Sequence, residues 1–201
     1  MNASNRVKMT FAVLLTLLSI TSVYADAYQD LSSVDELAGG DFVAQSVDSF
    51  GNSVDIYQGG DDNRLRITQA GTEEMALIHQ EGYGNEAYAY QAGEGNTLSI
   101  YQDGVENLAS IHQVDEMNYG DIQQFGAENY AEITQSGYAN EALISQSGSA
   151  NEAVLIQSGE LSRAEVVQDG FNNHVDITQS SNGAVAGVTQ IGNNMNASIS
   201  Q

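Results

Sequence analysis

Glutamine returns at every eleventh residue through most of this chain. Gln58, Gln69, Gln80, Gln91, Gln102, Gln113, Gln124, Gln135, Gln146, Gln157, Gln168, Gln179, Gln190 and Gln201 form an unbroken series of fourteen. A fixed period of this kind marks a repeat architecture, and it constrains the fold more than composition does. Other positions keep step. Two residues after the Gln stands Gly60, Gly71, Gly82, Gly93, Gly104, Gly126, Gly137, Gly148, Gly159, Gly170 or Gly192, with Asp115 and Ser181 as the exceptions. Five after stands Asn63, Asn85, Asn96, Asn107, Asn118, Asn129, Asn140, Asn151 or Asn173. Seven after is most often Ala, as at Ala76, Ala87 and Ala131, and nine after is aliphatic, as at Ile67, Ile78 and Ile133. The unit is Gln-x-Gly-x-x-Asn-x-Ala-x-Ile-x-Gln, clearest between Gln135 and Gln146.

The recurring Asn, Ala, Ile and Gln fall at alternate residues, the period of a strand with one buried face. Between them the residues vary and are largely polar, as Glu141, Leu143 and Ser145 show. The Gly falls in the polar gap, where a tight turn is expected because positive φ is cheap for glycine. A right-handed helical supercoil also has an eleven-residue period. It is rejected here, because an Ala/Ile pair two residues apart makes no continuous helical stripe.

A zigzag of antiparallel hairpins gives no reason for every unit to be alike. A solenoid does. Two units make a coil of 22 residues, unit n stacks on unit n + 2, and the result is an all-β solenoid with two facing, parallel, in-register sheets. Such stacking sets Gln on Gln and Asn on Asn, and a side-chain amide is both donor and acceptor, so a buried row of them satisfies itself from rung to rung. The fourteen units make seven coils, or roughly 34 Å of stack at about 4.8 Å per coil.

The ends of the chain read differently. Arg6 and Lys8 precede an apolar run from Thr10 to Ile20, and Val23-Tyr24-Ala25 offers a cleavage site, so residues 1–25 are expected to be a signal peptide. The run is shorter than the roughly 20 residues that span a bilayer. Residues 26–41 keep no register and are expected to be a flexible leader, followed by the repeat region over 42–201. Phe42, Val43 and Gln45 begin an imperfect first strand whose turn, from Ser46 to Gly51, would be two residues longer than the others.

Charge excludes several functions. The chain has 5 basic against 27 acidic residues, a formal net charge of −22. Removing 1–25 takes Arg6 and Lys8 away and leaves Arg64, Arg66 and Arg163 against all 27 acids, which is −24. A polyanion releases no counterions from nucleic acid, so nucleic acid is not an expected partner. Cysteine is absent, which excludes disulfide scaffolds and thiolate sites.

With the repeat on the page, a family resemblance follows. Tandem Gln-x-Gly-x-x-Asn-x-Ala-x-x-x-Gln behind a signal peptide and a leader resembles the curlin repeat over about residues 42–201. The resemblance implies a structural subunit of curli, the extracellular functional amyloid of bacterial biofilms, with roles in adhesion and surface colonisation. It further implies export through an outer-membrane curli secretion pore with accessory factors, Asp26 to Gly40 being the targeting stretch. The implied partners are further copies of the chain, a companion curlin subunit, and extracellular matrix or abiotic surfaces. Phe42-Val-Ala-Gln45 through Phe50-Gly-Asn52 to Tyr57-Gln58 resembles the start of the minor, nucleating subunit, and the leader lacks the Gly-rich character of the major one. This favours the minor type. The number of repeats and the absence of basic residues in Met195 to Gln201 depart from it, so both types stay open.

No catalytic, cofactor or metal site is expected. His79, His112 and His174 read as face positions, with His79 and His112 in opposite sheets. The acidic pairs Asp61-Asp62, Glu73-Glu74 and Asp115-Glu116 read as solvated turn charge; weak collection of Ca²⁺ is the sharper alternative. Tyr57, Tyr90 and Tyr101 read as sheet-surface aromatics, or else as a ridge for a stacking ligand. Three arginines and a 22-residue coil argue against a polysaccharide-degrading enzyme, and four Thr before the repeat Gln are too few for an ice-binding ladder. A monomeric β-solenoid adhesin or passenger domain shares the architecture and is the alternative to a fibre subunit. The last unit reaches Gln201 with no cap, which favours the polymer. Like charges on adjacent coils, such as Glu141 with Asp121 or Glu132 with Glu152, are expected to repel and to slow assembly.

Overall fold

The computed structural model describes residues 6–7, 31–35 and 42–201, with side chains from residue 51 onward. Two short strands come first, β1 (Arg6–Val7) and β2 (Leu31–Asp35). The repeat region then runs β3 (Phe42–Phe50), β4 (Ser53–Asp61), β5 (Arg64–Thr72), β6 (Met75–Tyr83) and β7 (Glu86–Glu94). It continues with β8 (Thr97–Val105), β9 (Leu108–Glu116), β10 (Tyr119–Ala127), β11 (Tyr130–Tyr138) and β12 (Glu141–Ser149). It closes with β13 (Glu152–Glu160), β14 (Arg163–Phe171), β15 (His174–Gln179), β16 (Val185–Asn193) and β17 (Asn196–Ser200).

The even strands, with β1 antiparallel beside β2, form one sheet, β1-β2-β4-β6-β8-β10-β12-β14-β16, and the odd strands from β3 to β17 the other. From β4 onward each strand lies parallel to the one two later, residue i against residue i + 22; Ile122 sits between Ile100 and Ile144, and Gln124 between Gln102 and Gln146. The chain is an all-β solenoid of about seven coils, as the eleven-residue period predicts. From β4 to β14 nine residues of strand and two of bend complete each unit. The inward rows of Ile, Leu, Val and Ala make one apolar core, from Val54 and Ile56 to Val175, Ile177 and Ala186. Each buried Ile or Leu contributes about 1.5–3 kcal/mol before chain entropy is set against it.

Several expectations are corrected. The repeat glycines do not occupy the turns. They are the penultimate residues of the strands, as Gly104 is in β8 and Gly126 in β10. The bend itself turns on the residue two further on, in the left-handed region whatever its identity: Asp62 at φ 58°, Glu106 at 54°, Ala139 at 53°, Leu161 at 56°. Glycine is required two residues earlier for a different reason. A Cβ on Gly104, at φ 139°, would strike the carbonyl oxygen of Gly126 in the next coil.

Phe42–Phe50 is a continuous strand on β5, with no lengthened turn from Ser46 to Gly51. Ser46, not Gln45, pairs with Gln69, and the register slips between Val47 and Phe50, a bulge that absorbs one extra residue. The signal peptide at 1–25 lies outside the described residues apart from Arg6–Val7. So does the leader, apart from Leu31–Asp35, which pairs with β4 in parallel.

Axial neighbours are 22 residues apart, which changes the charge map. Glu141 faces Tyr119 and Arg163, Asp121 faces Ser99 and Leu143, Glu132 faces Ser110 and Val154, and Glu152 faces Tyr130 and His174. None of these four faces another acid in register. Like-charge neighbours fall instead at the strand ends, Glu81 against Asp103 and Glu94 against Glu116.

Candidate functional site

The interior rows are the chemically distinctive part of this molecule. In the even sheet, Gln58 Nε2 donates to Gln80 Oε1 at 2.6 Å, Gln80 to Gln102 at 2.8 Å, and Gln102 to Gln124 at 2.9 Å. The row runs on through Gln146, Gln168 and Gln190 at 3.0, 2.8 and 3.0 Å. The odd sheet repeats it from Gln69 to Gln91, Gln113, Gln135, Gln157 and Gln179 at 2.9 to 3.0 Å. Gln201 joins at 3.4 Å and is exposed. From Gln69 onward each Nε2 also bonds backbone: that of Gln124 reaches the carbonyls of Leu108 and Asn129, both at 3.0 Å. This second anchorage ties the two sheets together across the thin core.

The Asn rows line the two edges where the chain bends. Asn107 Nδ2 donates to Asn85 Oδ1 at 3.0 Å and to the Gly126 carbonyl at 3.0 Å, and the Asn129 and Asn151 rungs repeat the pattern. Asn63 begins this edge, and Asn173 continues it by donating to Asn151 at 3.0 Å. On the other edge Asn96, Asn118 and Asn140 stack, and Ser162 follows, its Oγ donating to the Ser181 carbonyl at 2.9 Å. Donation runs one way in each row: C-terminally in the Gln rows, N-terminally between the Asn side chains. Every coil therefore presents the same pattern of groups to the next.

One member of the second edge was misread from sequence. Glu74 is not solvated turn charge; it is fully buried at the Asn position between Asn52 and Asn96. Burial pushes its carboxyl up to about 7, against the lowering effect of hydrogen bonds from Asn96. The signal that finds it is the row itself, since Glu74 stands five residues after Gln69. The left-handed bend residues were missed as well, because their identities follow no pattern. The other paired acids, Asp61-Asp62 and Asp115-Glu116, are exposed, and Asp115 takes the glycine position with φ 71°. Among the described residues no three His, Asp or Glu side chains converge on a point where a metal would sit.

Outward aromatic and histidine side chains make one feature rather than two. Tyr57, His79 and Tyr101 stack along the even sheet with ring centroids 4.4 and 4.6 Å apart, and Phe125 follows at 5.4 Å. The ring faces are taken up by each other, so the ridge shows edges and leaves little face for a flat ligand. Tyr90 meets His112 edge-on in the odd sheet at 4.7 Å. His174 lies between Glu152 at 3.2 Å and Asp176 at 3.0 Å. Burial lowers its pKa, but the bond and charge of Asp176, with Glu152, prevail and the net shift is upward. Arg64 pairs with Glu86 at 2.8 Å and Arg163 with Glu141 at 3.6 Å, both at the surface, where such pairs contribute little.

At the N-terminal side of the Gln row, Gln58 Oε1 is buried and has no hydrogen-bond partner among the described residues. Strand β2 pairs with β4 only as far as Tyr57 and stops one residue short of it. On the opposite side β16 and β17 are the edge strands of the two sheets, with Val185 68 % and Ile191 74 % exposed.

Fold and rows together define a structural repeat protein, a parallel β-solenoid held by amide ladders. Residues 73–104, 126–159 and 137–170 match the family model of the curlin associated repeat, and these matches support the curlin family. Among curated proteins none matches the chain.

Proposed function

We propose that this protein is a secreted structural subunit of a curli-type extracellular fibre, assembled by end-to-end stacking of solenoids. The observation that carries the reading is the translational sameness of the coils. From β4 onward residue i meets residue i + 22, every Gln rung donates in one direction, and among the described residues the row leaves an unpaired acceptor, Gln58 Oε1, on its N-terminal side. A second copy stacked head to tail would bring its edge strands β16 and β17 to that side and continue both sheets. Contacts of this kind do not close, and so make filaments. The repeat matches support the same reading. Residues 1–25 would direct export, and the leader would engage an outer-membrane pore. The assembled fibre would serve adhesion and biofilm matrix, alone or with a companion subunit. A nucleating role goes with the minor-type resemblance at Phe42 to Gln58.

Fibre diffraction tests the proposal. A meridional reflection near 4.8 Å is expected; a chain without the signal peptide that stays monomeric for days at high concentration overturns it and leaves the solitary adhesin. Growth should depend on the terminal rungs. Fibres of a Gln190→Leu/Gln201→Leu double variant are expected to seed the wild-type chain poorly, because the donors offered at that face are gone; equal seeding by variant and wild type counts against the stacking mode.

Charge should set the rate. Stacking repeats the strand-end acids along the fibre, Glu81 over Asp103 and Glu94 over Glu116, in a chain of net charge −22. Screening contracts the reach of that repulsion from about 30 Å at 0.01 M salt to about 8 Å at 0.15 M. Lag times followed by light scattering are expected to shorten with NaCl, with millimolar Ca²⁺ and toward the pI of about 4.1. Lag times that ignore salt and pH would show that repulsion does not limit assembly.

A further inference from the structure

Two Asn rows hold the bends of the solenoid, and one rung in them is a carboxylic acid. Glu74 is 0 % exposed. Its backbone N–H donates to Asn52 Oδ1 at 2.9 Å, and Asn96 donates to its carboxylate through N–H at 3.1 Å and Nδ2 at 3.2 Å. What the rung lacks is a donor. Asn63 Nδ2 bonds the carbonyls of Gly59 and Gly82, Asn85 Nδ2 those of Glu81 and Gly104, and Asn118 Nδ2 those of Val114 and Gly137. These carbonyls lie four residues before and nineteen after the Asn. At the Glu74 rung the corresponding carbonyls are those of Ala70 and Gly93. An ionised carboxylate accepts hydrogen bonds only, whereas a protonated one carries an O–H. The neutral acid suits this rung and the anion does not.

Among the described residues nothing nearby compensates a negative charge. The three bends stacked here carry Glu73 on Glu74's own bend, Glu94 just before the bend above, and no charged residue at Gly51 and Asn52 below. Of the strands packed here, β5 carries Arg64 and Arg66 toward its other end and β7 carries Glu86 as well as Glu94. Strand β4 brings Asp55 and Asp61, β6 brings His79 and Glu81, and β8 brings Asp103. Among the described residues, the hydrogen bonds to the Glu74 carboxylate come from Asn96.

We propose that Glu74 is a proton-operated lock on the N-terminal coils. Protonated, it completes the amide row and clamps the bend between β5 and β6 to the bends on either side. Ionised, it leaves a buried charge beside backbone carbonyls and loosens that bend, together with the coil N-terminal to it. The carboxyl's upward shift from 4.5 to about 7 agrees with the geometry. Because the folded chain takes up the proton more readily than the unfolded one, the stabilisation is complete below 4.5 and is lost as pH rises through about 7. Acid surroundings close the lock and alkaline ones open it.

The test uses the full chain and compares regions of one molecule, so that intrinsic exchange chemistry cancels. Amide hydrogen exchange of β4 to β6, with the Glu74 and Asn96 amides, is referred to that of β10 to β13. Between pH 5 and pH 8 the relative protection of the N-terminal region is expected to fall roughly 50-fold, the change that two protonation constants so separated produce. In Glu74→Asn and in Glu74→Gln, each of which supplies an amide donor, the ratio should stay flat and at pH 8 exceed that of the wild type. A wild-type ratio independent of pH overturns the proposal. So does a Glu74→Asn chain that retains the wild-type pH profile, or is less protected than wild type at pH 8. The readout is the folding of the solenoid itself and holds whether or not fibres form.

Discussion

Gln124→Leu is expected to lower the stability of the solenoid by roughly 2–5 kcal/mol, although leucine has nearly the same bulk and is more apolar. The loss comes from the neighbours. Gln102 Nε2 loses the acceptor it meets at 2.9 Å, and Gln146 Oε1 loses the donor that reaches it at 3.0 Å. The carbonyls of Leu108 and Asn129 each lose a bond from the same Nε2. All of this happens where Gln102, Gln124 and Gln146 are 0 % exposed, so water cannot take the vacated places. In a stack of coils, a lesion in the middle weakens two interfaces and one at an end weakens one. Gln201→Leu, at a rung that is exposed and 3.4 Å from Gln179, is therefore expected to shift the denaturant midpoint little. Urea titration of the two variants beside wild type checks the contrast. Equal midpoints for Gln124→Leu and wild type would mean that the row is a consequence of apolar packing and not a cause of stability.

What the sequence makes legible follows from where identical residues stack. A parallel in-register ladder requires the same side chain at every rung, so each interior row leaves a mark at period eleven, and the sheets, their register and the inward Gln, Asn, Ala and Ile rows can all be read from it. Where the structure needs a backbone shape, the record is fainter. The bend residue must reach the left-handed region, yet Asp62, Glu73, Glu106, Ala139 and Leu161 all do so, because the row interactions on either side over-determine the bend. With no shared identity, that position left no trace, and the glycine two residues earlier was taken for the turn in its place. Glu74 was hidden for the opposite reason: a single departure in a row reads as surface charge until the row is counted through it. The first strand escaped because its bulge absorbs only one of the two extra residues between Gln45 and Gln69, so that Ser46 and not Gln45 meets Gln69. The acidic neighbours were misplaced by two residues, a diagonal step that never lines up along the stack, and with the period at 22 several of them face Arg163, His174 or a tyrosine.

The glycine row limits how closely the coils approach. Gly104 has φ 139°, and a Cβ built on it would drive into the carbonyl oxygen of Gly126 and crowd the Gly126 carbonyl carbon at 2.8 Å and nitrogen at 3.1 Å. These are backbone atoms of a paired strand, held on their other side by Gly148 in β12, so they cannot yield as a flexible side-chain tip does. Gly104→Ala combines this clash with a φ that L residues rarely adopt, and is expected to cost roughly 3 kcal/mol or more. The damage should spread along the axis, because β10 must move for the methyl to fit and the Asn107 Nδ2 bond to the Gly126 carbonyl, 3.0 Å long, moves with it. Gly187 provides the control. It lies in β16 with ordinary backbone and open space around the position of a Cβ, so Gly187→Ala should be neutral or slightly stabilising. Thermal unfolding of the two variants followed by circular dichroism separates the cases: a large drop for Gly104→Ala alone is the expected result. Equal melting of both would show that the coils can part locally at the glycine row, and that tight backbone approach is not what keeps glycine there.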